Sequence, residues 1–121
     1  MNLYYKQVKG KGRGVFSKTK IKKDTIIEEC PILHIPKEEL KFIEKTRLEK
    51  YYYCWGKNWD EGAIPLGYGV LYNHSYHSNA NYKFDFRKQT ISYFAVKDIP
   101  ANTEIVINYN GSPDDETPFN V

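Results

Sequence analysis

The sequence predicts a mainly β domain made of many short strands with little helix. Three observations carry this. Short β-branched or alternating apolar segments recur along the chain. Clusters of Gly, Pro, Asn and Asp punctuate them. Eleven of the 121 residues are tyrosine, which joins apolar area to one polar tip and so suits strands and pockets that need a placed hydroxyl. The length fits one domain over residues 1–121, large enough for a single core.

Taken in order, Leu3–Val8 reads as a first strand. Gly10-Lys11-Gly12-Arg13-Gly14 is a turn signal, and Val15-Phe16-Ser17 resumes an extended chain. Thr25-Ile26-Ile27 reads as another strand, and Pro31 and Pro36 bracket an extended stretch at 32–35. Pro36 suits the first turn of a helix expected to reach about Lys45. Thr46-Arg47-Leu48-Glu49 matches a capping box, so a second short helix is expected there. Tyr51-Tyr52-Tyr53-Cys54-Trp55 is an apolar aromatic run, and residues 62–69 are glycine-rich around Pro65. Tyr82-x-Phe84-x-Phe86 and Ile91-x-Tyr93 alternate on either side of Arg87-Lys88-Gln89, which predicts a hairpin. Residues 98–102 read as a turn, residues 104–109 as a strand, and Asn110-Gly111-Ser112-Pro113 as its end.

Charge and cysteine usage exclude several classes. Net charge is +3, with thirteen Lys/Arg against seven Asp/Glu in residues 1–50 and five against eight in residues 51–121. Eight basic residues and no acid lie from Lys6 to Lys23. A solvated hairpin face accounts for them. A nucleic-acid surface would interleave aromatics for stacking, and only Phe16 falls inside that stretch. Cys30 and Cys54 form no CxxC and have no His at ligand spacing, so no metal is expected and both should be free thiols. No signal peptide and no 18-residue apolar run is visible, which points to a cytoplasmic protein without a membrane span.

Gly-x-Gly-x-Gly invites a nucleotide-binding reading, but a dinucleotide fingerprint needs a helix after the glycines, and Val15-Phe16-Ser17 makes a strand. What survives is that glycines let backbone N–H groups approach a ligand closely. Two other segments concentrate polar groups: residues 73–80, Asn-His-Ser-Tyr-His-Ser-Asn-Ala, and residues 104–109, Glu-Ile-Val-Ile-Asn-Tyr. Each alone would pass for a buried turn or an ordinary strand.

Together, in this order and spacing, the three segments resemble the motifs of the SET-domain family. Gly12-Arg13-Gly14-Val15-Phe16 resembles its N-terminal GxG segment, Asn73-His74-Ser75 through Asn79 its NHSxxPN segment, and Glu104 to Tyr109 its terminal E-[LI]-x-x-x-Y segment. Asp98-Ile99-Pro100-Ala101 resembles the turn before that last segment. The match covers about residues 9–111 and is closest to the short stand-alone SET proteins of bacteria and large viruses.

The resemblance implies a fold of several small curled β-sheets with short helices and a C-terminal pseudoknot. It implies methyl transfer from S-adenosylmethionine to a lysine of a protein substrate, such as a histone or histone-like tail. Lys11, Gly12, Arg13 and Gly14 would hold the methionine end of the donor, largely through backbone, and Asn73 and His74 the adenosine. Tyr51 matches a further donor contact, and Tyr109 the catalytic tyrosine beside the methyl and the amine. A lysine has to lose its proton before it attacks, and a narrow apolar channel disfavours the ammonium. Tyr82 matches a channel tyrosine, and Ile107 falls where an aromatic tunes the number of methyl groups. Cys30 stands where many members have another channel tyrosine.

The sequence also departs from the family. Tyr76 and Ser78 replace a common Cys and Pro, and no cysteine follows Tyr109 to build a zinc-binding closure. Phe119 is the candidate to cover the adenine instead. Asp114-Asp115-Glu116 would attract basic peptide segments. Either a monomer or a homodimer is compatible with a domain this small. The alternative is a catalytically weak SET-fold module that binds protein or nucleic acid. Retention of Tyr109, Asn73, His74 and Gly12-x-Gly14 argues against it.

Overall fold

The computed structural model describes residues 1–111. Among these residues, nine strands form two sheets. They are β1 Leu3–Val8, β2 Gly12–Ser17, β3 Ile26–Ile35, β4 Tyr53–Trp55, β5 Glu61–Pro65, β6 Asn73–His74, β7 Ala80–Asp85, β8 Thr90–Ala95 and β9 Glu104–Ile107.

The first sheet has the order β1-β2-β9-β6. β1 and β2 are an antiparallel hairpin turned at Gly10 and Gly12, whose φ angles of 80° and 77° suit glycine. β9 pairs antiparallel with β2 and parallel with β6, aligning Asn73 with Val106 and His74 with Ile107. The loop after β6 then wraps β9. Ser75 N–H donates to the Ile107 carbonyl, Asn79 N–H to that of Val106, and the Asn79 side chain exchanges two further bonds with residues 104 and 106. This is the threaded arrangement that the resemblance implied.

The second sheet has the order β4-β5-β3-β8-β7. Its long strand β3 pairs with β8 over residues 26–31 and with β5 over 32–35. The change of partner falls at Pro31, which has no N–H to donate to a ladder. The edges, β4 and β7, meet through their aromatic side chains: Tyr53 lies 5.2 Å from Tyr82 and Trp55 4.9 Å from Phe84. The sheet therefore curls until its edges face each other. Ile21, Ile91, Tyr93, Ile99 and Ile105 fill the core below.

The helical expectation for residues 36–45 shrinks to a 3-10 turn at Lys37–Glu39 and one α turn at Leu40–Ile43. Neither contains a buried residue, so no apolar face drives the helix further. Thr46 caps as expected, its hydroxyl accepting from Leu48 N–H at 3.1 Å, but the element it starts, Arg47–Lys50, is a 3-10 turn. The strand expected over 104–109 stops at Ile107. The buried Asn108 side chain accepts from Asn110 N–H at 2.9 Å and turns the chain there. Tyr109 thus sits in a turn, not on a strand.

Candidate active site

Tyr109 is where the two sheets meet. Its N–H donates to His74 Nδ1 at 3.1 Å, its hydroxyl donates to the Tyr72 carbonyl at 2.7 Å, and its own carbonyl accepts from the Tyr82 hydroxyl at 3.2 Å. Backbone and phenol are therefore both fixed although the residue is 42% exposed. Burial and the Glu104 charge push the phenol up to about 12. It stays protonated at neutral pH, so it can orient and polarise but is not a resident base.

On one side of Tyr109 lies a polar cluster. The Asn73 amide donates to the Arg13 carbonyl at 3.1 Å and to the Glu104 carboxylate at 2.7 Å. Lys11 Nζ lies 3.8 Å from the other Glu104 oxygen. Gly14 makes this packing possible: a Cβ there would stand 2.5 Å from the Glu104 carboxylate and 3.1 Å from the Asn73 amide. Gly12, at φ 77°, faces open space. The His74 ring lies 4.4 Å from that of Tyr76 and 5.2 Å from that of Tyr109. Burial and the nearby Lys11 charge lower its pKa, and as a neutral ring it can accept at Nδ1.

On the other side is a cavity of about 550 Å³. Tyr109, Tyr82 and Tyr72 line it with Tyr51, Tyr52 and Tyr53, and Trp59 and Phe84 extend it outward. Tyr53 and Tyr93 share a hydrogen bond at 2.9 Å, and burial raises the pKa of both. The walls are thus mainly neutral rings, with Lys50 and Lys83 as the charged groups among the described lining residues, an environment that disfavours an ammonium and favours a free amine.

The structure brings Lys11, Gly12, Arg13, Gly14, Asn73, His74 and Tyr109 to one end of the first sheet, and Tyr51, Tyr82 and Tyr109 to the cavity. Two of the expected channel residues lie elsewhere. Cys30 is 1% exposed and Ile107 is fully buried, and both belong to the core cluster rather than to the cavity wall. The reason is strand parity: each points to the packed face of its sheet. Burial, with Glu28 beside it, raises the Cys30 thiol pKa, which leaves the thiol protonated. Phe119 and the Asp114-Asp115-Glu116 run lie outside the described residues.

Sequence reasoning missed three contributors. Glu104 was read only as part of a strand motif, yet its carboxylate ties Asn73 to Lys11. An acid in an otherwise apolar strand was the available signal. Tyr72 presents the carbonyl that fixes the Tyr109 hydroxyl, and its own hydroxyl donates to Glu28 at 2.8 Å. Glu28 also accepts from Tyr68 N–H at 3.0 Å. No local pattern links residues 28, 72 and 109.

Comparison with known proteins identifies the family and the fold. Residues 12–110 match the SET domain family model. A Schizosaccharomyces pombe protein, "Histone-lysine N-methyltransferase, H3 lysine-37 specific", is 38% identical over 100 residues, covering 82% of this chain and 67% of the relative. A solved Plasmodium falciparum protein assigned as a histone methyltransferase superposes with a TM-score of 0.73 at 33% identity, over 92% of this chain and 99% of that one. The Chaetomium thermophilum Polycomb Repressive Complex 2 bound to S-adenosylmethionine gives a TM-score of 0.72 at 21% identity, over 89% of this chain and 15% of that one, and shares the fold. The chain belongs to the SET-domain family. Within it, the chain falls in the class of protein-lysine methyltransferases.

Proposed function

We propose that this enzyme takes its methyl group from S-adenosylmethionine and places it on a lysine of a histone or histone-like tail. One observation carries the reading: Tyr109 forms a common wall between the Gly14-Asn73-His74 cluster and the aromatic cavity, with its hydroxyl pinned by Tyr72. A donor held on the first side and a lysine entering from the second would meet at that hydroxyl. The histone assignment is supported by the relative at 38% identity.

The residues present fit such a donor. Gly12 leaves backbone open to close approach, and Lys11 and Arg13 supply positive charge for a carboxylate. Asn73 and His74 stand beside them. S-adenosylmethionine supplies an electrophilic methyl on a sulfonium. The chain does the rest by position. The cavity's rings strip water from the amine and favour its neutral form. The Tyr109 proton is committed to Tyr72, so the oxygen's lone pairs are its remaining polar capacity, directed electrostatically at the reacting groups. Tyr82, bonded to the Tyr109 carbonyl, narrows the channel.

The test is incubation of the protein with tritiated S-adenosylmethionine and recombinant histones. Label in a lysine of a histone is the expected result. No label in any histone, with calorimetry showing no donor binding, would overturn the proposal.

A further inference from the structure

The aromatic wall continues well beyond Tyr109. Tyr82 and Phe84 share one face of β7, and Phe86 follows just past its end, with ring centroids 5.6 Å and 6.1 Å apart in turn. The loop between β4 and β5 approaches the same row. Trp55 lies 4.9 Å from Phe84 and 4.8 Å from Phe86, and Trp59 lies 5.8 Å and 6.0 Å from the same two rings. Trp55 is 2% exposed, whereas Trp59 is 56% and Phe86 45% exposed. Two large apolar rings therefore stand open side by side on a floor of buried Trp55 and half-buried Phe84.

Trp59 also has a φ of 57°, a left-handed conformation that a bulky residue rarely adopts. Its N–H donates to the Gly56 carbonyl at 3.2 Å, which closes the turn. Strain of this kind concentrates where a side chain is presented to a ligand. The patch is continuous with the candidate active site, because Trp59 and Phe84 line the same cavity as Tyr82 and Tyr109.

We propose that Trp59 and Phe86, floored by Trp55 and Phe84, form a subsite for an apolar side chain of the protein substrate, two to four residues along from the methylated lysine. The inference rests on the reaction proposed at Tyr109. The spacing follows from strand geometry. An extended chain rises about 3.3 Å per residue, so Phe84 stands about 7 Å beyond Tyr82, and Phe86, just past the end of the strand, lies one ring contact further on. A substrate segment running alongside has the same rise and brings its second to fourth residue over the rings. Among the described residues, the charged ones lining the cavity are Lys50 and Lys83, both basic, which disfavours a cationic side chain in this position.

The test uses the full chain and a positional-scanning peptide library with one central lysine, read both by methyl transfer and by fluorescence-anisotropy binding. Leu, Ile, Met or Phe should exceed Ala by roughly tenfold at one position two to four residues from the lysine, in line with burial of one such side chain. Phe86→Ala should remove that preference while leaving rates on the Ala peptide unchanged, and Trp59→Asn, which suits the left-handed turn, should remove it from binding as well as from transfer. A flat profile, a preference that survives both variants, or a preference for Arg or Lys there would overturn the subsite. Apolar-selective binding lost in Trp59→Asn, without any transfer, would keep the subsite and overturn the reaction instead. Neither transfer nor selective binding would overturn both.

Discussion

The four-stranded sheet and the five-stranded sheet both reach Tyr109, but they reach it by different means. The first arrives with backbone: a glycine that leaves no room for a Cβ, an Asn amide bonded to a main-chain carbonyl, and a His that accepts a main-chain N–H. The second arrives with side-chain area, mainly tyrosine, tryptophan and phenylalanine rings contributed by β4, β7 and the loops beside them. Backbone-centred geometry tolerates few residue types, since a one-atom change is felt at once. A wall of rings tolerates many, because apolar area and volume decide its energetics. The first sheet is thus suited to holding one invariant small molecule, and the second to adapting to a protein partner.

Tyr109→Phe breaks the meeting point and should have the largest effect. It removes the hydroxyl bonded to the Tyr72 carbonyl and keeps the ring. Transfer should fall by about 10²-fold or more, the usual cost of losing one preorganised polar group at a reaction centre. Donor affinity by calorimetry should stay within a few-fold, because the His74 bond is to backbone. Gly14→Ala should break the first sheet alone. Its Cβ would meet the Glu104 carboxylate at 2.5 Å and Val8 Cγ2 at 2.9 Å, and overpacking of this kind costs about 1–3 kcal/mol. Urea midpoints should show that loss, with donor binding weakened in parallel. An undiminished midpoint in Gly14→Ala would mean the β1–β2 hairpin shifts freely and the backbone account is wrong.

The contrast explains what could be read from the sequence. Gly12-x-Gly14, Asn73-His74 and Glu104 through Tyr109 were legible only as a set, by the order and spacing in which they resemble SET-domain motifs, since each alone would pass for a turn or a strand. The β1–β2 and β7–β8 hairpins were legible by themselves, their turn residues and alternation being local signals. The cavity was not legible in detail. Tyr53 faces Tyr82 only because β3 changes partner at Pro31 and the sheet curls, which is a property of topology. Cys30 and Ile107 were placed in the channel by resemblance, and strand parity puts them in the core. The helix at residues 36–45 was overestimated because Pro36 signals where a helix starts, while its length depends on burial that these residues lack.

Tyr72→Phe tests whether the second sheet also contributes position. The variant keeps the carbonyl that holds Tyr109 and the ring stacked 4.4 Å from Tyr93, but loses the bond to Glu28. The segment before β6 would be held less tightly, so kcat should fall several-fold with the Michaelis constant for the donor unchanged. A rise in that constant with kcat intact would place Tyr72 in donor binding instead.

The smallest expected effect concerns His74, where the first sheet carries a titratable group. The ring accepts from Tyr109 N–H, so it is neutral, and burial with the Lys11 charge lowers its pKa below the ordinary 6.5. A group whose pKa is lower folded than unfolded binds more protons when unfolded. Its contribution to stability is therefore complete above pH 6.5 and is lost as the pH falls through the folded value. His74→Asn keeps an acceptor oxygen near the position of Nδ1 and cannot titrate. The melting temperature of the parent protein should consequently drop more steeply between pH 7 and pH 5 than that of His74→Asn, with other titrating groups common to both. Parallel slopes would show that Tyr109 N–H does not depend on a neutral imidazole. The turn carrying Tyr109 would then be held mainly by Asn108 and by the Tyr72 and Tyr82 bonds of the aromatic half.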